Sequence, residues 1–173
     1  MLNTPFSILV MGVSGSGKSH VGRLLAERCQ AKFIDADDYH SAANVAKMAR
    51  LEPLDDADRA DWLATLAELY RQSRADGEPL VIGCSALKAS YRGLLRGGAP
   101  DLRIVYLDGD YELLSQRLAS RQSHFFGGDS MLRSQLETLE PPPQNEAIWL
   151  SISQPPLQIV EQAVTALTAS FNS

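Results

Sequence analysis

Short, wholly apolar runs alternating with helical stretches predict an α/β protein built on a parallel sheet covered on both faces. Two further observations support this class. A glycine-rich turn follows the first apolar run directly, and polar or charged residues stand just after several of the later ones. Strands that are apolar on both sides must be buried on both, which is the condition of a parallel sheet lying between helices. In such sheets ligands bind beyond the carboxyl ends of the strands, so residues that carry chemistry belong just after each run.

The first run, FSILVM over 6–11, reads as a strand that enters the glycine turn. Over 18–29, Val21, Leu24, Leu25 and Arg28 recur at three- and four-residue spacing, which predicts a helix. A short strand over 32–34 ends at Asp35. A long helix over 56–74 carries Trp62, Leu63, Leu66, Leu69 and Tyr70 on one face. LVIGC over 80–84 and RIVYL over 103–107 are the third and fourth strands, followed by an amphipathic helix over 111–121. A fifth strand over 147–152 and a closing helix over 157–171 complete the pattern. The reading is one domain over 1–173, with no repeat and no long linker.

Composition narrows the function classes. The chain has 173 residues, 45% of them apolar, enough for a packed core without metals or disulfides. Its net charge of −5 offers no diffuse basic field for nucleic acid or an anionic membrane, so neither is expected as a partner. An anionic substrate then needs a local cluster of Lys and Arg. No apolar run approaches the ~20 residues that span a bilayer, and no charged segment precedes the first run as in a signal peptide. The expectation is a cytoplasmic protein. Its two cysteines, Cys29 and Cys84, lie far apart without metal-ligand spacing and read as reduced thiols.

Residues 12–19, GVSGSGKS, match the phosphate-loop pattern GxxxxGK(S/T) in its proper setting between strand and helix. Gly12, Gly15 and Gly17 allow the backbone to curl so that successive N–H groups converge on one anion. The helix beginning near Lys18 adds its positive end. Lys18 is expected to reach the β- and γ-phosphates of ATP, and the Ser19 hydroxyl to ligate Mg²⁺. Ser14 and Ser16 chiefly form the loop, and both belong to the nucleotide-binding run. This pattern predicts a phosphotransferase.

After the second strand, FIDADDYH presents Asp35, Asp37 and Asp38. Transfer to an alcohol calls for one carboxylate near the metal and one that orients or deprotonates the hydroxyl. Residues i and i+2 of an extended segment point the same way, so Asp35 is assigned to the metal's water shell and Asp37 to the substrate hydroxyl. Asp38 reads as part of a capping turn. His40 either touches substrate or stabilises the turn.

Basic residues follow later strands. Lys88 and Arg92, in CSALKASYR, are one helical turn apart and suit a carboxylate or phosphate, the alternative being two solvated cations. An ion pair within its helix would explain Arg59 without function. Arg117 and Arg121 lie four apart ahead of the glycine-rich segment around HFFGGDS, and are placed to close over a triphosphate. Arg121 is expected to hold charge during transfer, which makes it catalytic together with Lys18 and Asp37.

Several segments together resemble the gluconokinase family of small P-loop kinases. They are MGVSGSGKS, FIDADDYH with Asn44 and Lys47-Met48, EPLDDADR with Trp62-Leu63, CSALKASYRGLLR, and HFFGGDSMLRSQLETLEPP. The resemblance spans about residues 9–143. It implies the three-layer nucleoside-kinase-like fold, with a five-stranded parallel core sheet and a mobile lid over about 121–132. It also implies phosphorylation of D-gluconate to 6-phospho-D-gluconate by ATP with Mg²⁺, in a cytoplasmic homodimer. On matching positions Asp37, His40, Arg59, Ser85, Lys88 and Arg92 become substrate contacts, while Arg117, Arg121 and His124 belong to the lid.

Three departures stand out: Ser41 where the family has Pro, which implies a looser turn, Leu51 where it has Gly, and Asp61 where it has Pro. All fall on the substrate side. A kinase of shikimate or another sugar acid is the other enzyme reading. A nucleotide-binding regulator without catalysis would be expected to have lost Lys18, Ser19 or Asp37, and all three are present.

Overall fold

The computed structural model describes residues 6–120 and 128–171. Five strands form one parallel sheet: β1 (Ser7–Met11), β2 (Lys32–Asp35), β3 (Leu80–Gly83), β4 (Arg103–Asp108) and β5 (Ala147–Ser151). Their order across the sheet is β2-β3-β1-β4-β5, so the strand entering the glycine loop is central. Val10 pairs with Gly83 on one side and Val105 on the other, and Asp35 pairs with Gly83. The carboxyl ends of β1, β2 and β3 therefore lie side by side.

Alternation along β1 sorts the core into two layers. Ile8 and Val10 face α1 (Lys18–Arg28), α5 (Tyr111–Ala119) and α7 (Pro156–Phe171), packing with Leu25, Leu114, Leu118, Ile159 and Ala163. Leu9 and Met11 face the other way, against Trp62, Leu63, Leu66 and Tyr70 of α3 (Asp56–Ala75) and Leu95 of α4 (Ala89–Arg96). Both layers contain wholly buried residues, which is why β1 shows no polar alternation at all. The buried Tyr70 hydroxyl finds its partner on the sheet itself, donating to the Ile8 carbonyl at 2.6 Å.

The expected strands and helices all appear, with ends displaced by a few residues. The turn expected around Asp38 is a 3-10 turn at Ala36–Tyr39, and two helices add to the expected elements: α2 (Ala42–Ala49) and α6 (Gly128–Thr138). Ser41 accounts for α2, since its hydroxyl accepts the Asn44 N–H at 3.1 Å and caps the helix. The turn implied to be looser without proline is thus a capped one. In α6, glycine and aspartate that read as loop formers occupy the first turn, where an acidic side chain is favourable. Of the proposed lid, residues 121–127, with Arg121 and His124, lie outside the described residues. The remainder, 128–132, is the start of α6, and Leu132 is buried in the core.

Candidate active site

The loop after β1 owes its shape to residues without side chains. Gly15 and Gly17 have φ of 85° and 91°, in the left-handed region where other residues are strained. Gly12 makes a close approach: a Cβ there would lie 2.6 Å from the Ser16 hydroxyl and 3.1 Å from the Leu107 carbonyl. That hydroxyl is buried beneath the loop and has no hydrogen-bond partner among the described residues. The Lys18 ammonium arches back along the loop and donates to the Val13 carbonyl at 3.2 Å. Helix α1 starts immediately, with Gly17 as its N-cap and no side chain covering its first amides.

Across from the loop, the Ser19 hydroxyl donates to Asp35 Oδ2 at 2.7 Å. Asp35 Oδ1 accepts the Asp37 N–H at 3.0 Å and caps the 3-10 turn. One carboxylate therefore links the end of the phosphate loop to the turn that carries Asp37. A hydroxyl and a carboxylate in contact suit a hard cation of the Mg²⁺ kind, which takes only one or two protein oxygens and completes its shell with phosphates and water. Among the described residues no group of three or more His, Cys, Asp and Glu side chains is placed to hold a metal by itself.

Asp37 is open to solvent over 83% of its side chain. Crowding by the surrounding protein pushes its pKa up, Lys18 pulls it down, and Asp35 adds to the upward push. Water at so exposed a carboxylate screens much of this effect, which should grow when a ligand fills the cleft. His40 is enclosed and stacks on Trp62, ring centroids 4.1 Å apart. With the Asn44 amide 3.5 Å from Nδ1, its Nε2 faces Asp37 Oδ1 at 3.9 Å. Burial holds the His40 pKa below its ordinary value, against the pull of Asp37 and with the help of Arg59, so the ring stays neutral near pH 7.

The basic side divides in two. Arg59 donates to the Tyr91 hydroxyl at 3.0 Å, and Tyr91 in turn donates to Asp56 Oδ1 at 2.6 Å. Lys88 reaches the same Asp56 oxygen at 3.1 Å, so Arg59 and Lys88 gather around one tyrosine. Arg92 goes elsewhere. Its side chain is 1% exposed, bonded to Glu146 Oε1 at 3.1 Å and to the Ala86 carbonyl at 3.0 Å. The shared face expected of Lys88 and Arg92 does not form, because Lys88 is the extended N-cap of α4 and stands outside its helical repeat. Ser85 is half-buried on the turn after β3, next to Ala86 with φ 46°. Arg117, on α5, donates to the Ile152 carbonyl, one residue from Leu118, which packs against Gly15.

Sequence reasoning missed Asp56, Tyr91 and Glu140. The Glu140 carboxylate accepts the Ala89 N–H at 2.9 Å, and its own N–H donates to the Leu87 carbonyl at 2.7 Å, which fixes the Lys88 turn. The LEPP run contained that signal, but only the fold shows what it touches.

A central phosphate loop, a hydroxyl–carboxylate pair beside it and cations across the cleft define a P-loop kinase for a small acidic molecule. Comparison with known proteins agrees: the model of an AAA domain family matches residues 8–142. A probable gluconokinase from Mus musculus is 42% identical, covering 96% of this chain and 100% of that protein. The thermoresistant gluconokinase of Escherichia coli is 40% identical over 92% of this chain and 91% of its own length. The crystal structure of a gluconokinase from Sinorhizobium meliloti superposes with a TM-score of 0.85 at 42% identity, covering 99% of each chain. This chain belongs to the gluconokinase family.

Proposed function

We propose that the chain transfers the γ-phosphoryl group of ATP to D-gluconate, giving 6-phospho-D-gluconate and ADP. The observation that carries this reading is one line of polar side chains crossing the cleft. It runs from Ser19 to Asp35, which holds the backbone of the turn carrying Asp37, past His40 beside that carboxylate, and resumes at Arg59, Tyr91 and Lys88.

At the donor end, loop amides other than that of Ser14, together with Lys18, bind the phosphates, and Lys18 exchanges the Val13 carbonyl for a phosphate oxygen. Ser19 and Asp35 would hold Mg²⁺, which when bound neutralises charge on the phosphate oxygens. Asp37 accepts a hydrogen bond from the attacking hydroxyl and takes its proton as transfer proceeds. Burial holds the His40 ring neutral beside Asp37, so it adds no competing charge.

At the acceptor end, Arg59 and Lys88 bind the sugar-acid carboxylate, with Ser85 on the adjoining turn. Asp56 already places a carboxylate on Lys88 and Tyr91, and hydrogen bonds to both hold its pKa below the ordinary range. A substrate carboxylate would share or take over those donors. Arg92 serves this face from behind by anchoring α4. Arg117, Arg121 and His124 remain proposed closing residues, and a cytoplasmic homodimer belongs to the same reading, supported by the family alone.

Release of ADP, measured with gluconate, shikimate and a series of aldonates, tests the proposal. Turnover should be greatest with gluconate and shikimate should be inert. Turnover with another acid but none with gluconate would overturn it.

A further inference from the structure

Helix α6 and the segment just after it touch both halves of the cleft, and the transfer proposed above uses neither contact. Two residues beyond the helix, Glu140 holds the Lys88 turn. Within the helix, Gln135 Oε1 accepts the Ser14 N–H at 2.7 Å, and Met131 Sδ lies 4.0 Å from the Ser14 hydroxyl. Leu132 is wholly buried and Leu136 packs on the same core, so the helix is seated in the protein. Gln135 is therefore presented to the phosphate loop from a fixed element.

The bond to Ser14 settles which way the amide faces. A backbone N–H requires an acceptor, so the carbonyl oxygen is the anchored end and the NH₂ is the outward one. That NH₂ has no hydrogen-bond partner among the described residues. The anchor is half-buried and lies beside a loop whose purpose is to bind anions, where a fixed neutral donor meets phosphate oxygen without competing for the metal. We propose that Gln135 is a positioning residue for the transferred phosphoryl group: it stays on Ser14 through Oε1 and donates from Nε2 to the γ-phosphate. It would then discriminate ATP from ADP, from a helix whose following segment fixes the Lys88 turn through Glu140. This rests on the kinase reading above but not on gluconate as the acceptor.

The test uses the full chain without any sugar acid. Binding of Mg²⁺ with the non-hydrolysable analogue AMPPNP, and of Mg²⁺ with ADP, is measured by calorimetry for the wild type, Gln135→Glu and Gln135→Ala. Gln135→Glu keeps an oxygen for Ser14, and hence the anchor, but replaces the donor with a negative charge. A donor to a charged oxygen predicts that AMPPNP weakens roughly tenfold or more in Gln135→Glu while ADP stays within about twofold. With an acceptor present, kcat should fall further than the KM for ATP rises. Equal changes for the two nucleotides would overturn the proposal. So would tighter binding of both in Gln135→Ala, which would make the side chain a plug that phosphate displaces, or a lowered melting temperature with nucleotide discrimination intact.

Discussion

The phosphate loop draws its binding groups from eight consecutive residues, Gly12 to Ser19, and most of those groups are backbone amides. Across the cleft, Asp37, Arg59 and Lys88 come from three segments brought together by the sheet and by α3 and α4. Each of them already has a polar partner: Lys18 near Asp37, the Tyr91 hydroxyl on Arg59, Asp56 on Lys88. A site made of backbone is fixed once glycine permits the turn. A site made of side chains depends on which partner each charge selects, and Arg92 selected the interior.

That contrast can be broken first at Asp37, where both halves meet. Asp37→Asn should lower kcat by about 10²–10⁴, the usual contribution of a positioned base, with little change in ATP binding. The carboxylate is the active form and its pKa is pushed up, so acidification should remove activity earlier than an ordinary aspartate would allow. The pH profile of kcat reads this directly. An acid limb within the ordinary aspartate range would show that the cleft does not raise Asp37 when filled.

The next effect concerns stability. Burial pushes Glu146 up, but hydrogen bonds and charge from Arg96 and Arg92 outweigh it and hold its carboxyl below the usual range. Arg92→Ala removes one buried partner, leaving the Ala86 carbonyl and part of Glu146 unanswered. Urea unfolding should show a loss of about 3 kcal/mol, the lower end for a broken buried pair because Arg96 remains at 2.8 Å. A variant that kept its stability and lost only gluconate affinity would return Arg92 to the substrate.

The smallest effect lies at Leu51. It ends α2 at φ 61°, with Glu52 N–H on the Lys47 carbonyl at 3.0 Å and its own N–H on the Met48 carbonyl at 3.0 Å. This is a Schellman turn with leucine in the left-handed position that glycine ordinarily fills. Leu51→Gly should stabilise the protein by about 1 kcal/mol in the same unfolding measurement. No gain would mean that this 60% exposed side chain makes compensating contacts.

What the sequence disclosed follows the same division. The central strand, the loop and the Ser19–Asp35 neighbourhood were legible because local pattern determines them: an unbroken apolar run, glycines at 12, 15 and 17, and a carboxylate at a strand end. Helices α2 and α6 were not, since a serine cap and a glycine-aspartate start also read as loop. The inward turn of Arg92 was hidden for another reason. Its partner Glu146 is 54 residues away, and Lys88 leaves the helical repeat by one position at the N-cap.

The most direct test of two separable halves is the steady-state kinetics of Arg59→Ala with both substrates varied. Arg59 bonds to the Tyr91 hydroxyl and lies over its ring, on the acceptor side of the cleft. KM for gluconate should rise roughly tenfold or more, the loss expected for a charged hydrogen bond, while KM for ATP stays within about twofold. An equal rise in both constants, or an unchanged KM for gluconate, would contradict that separation.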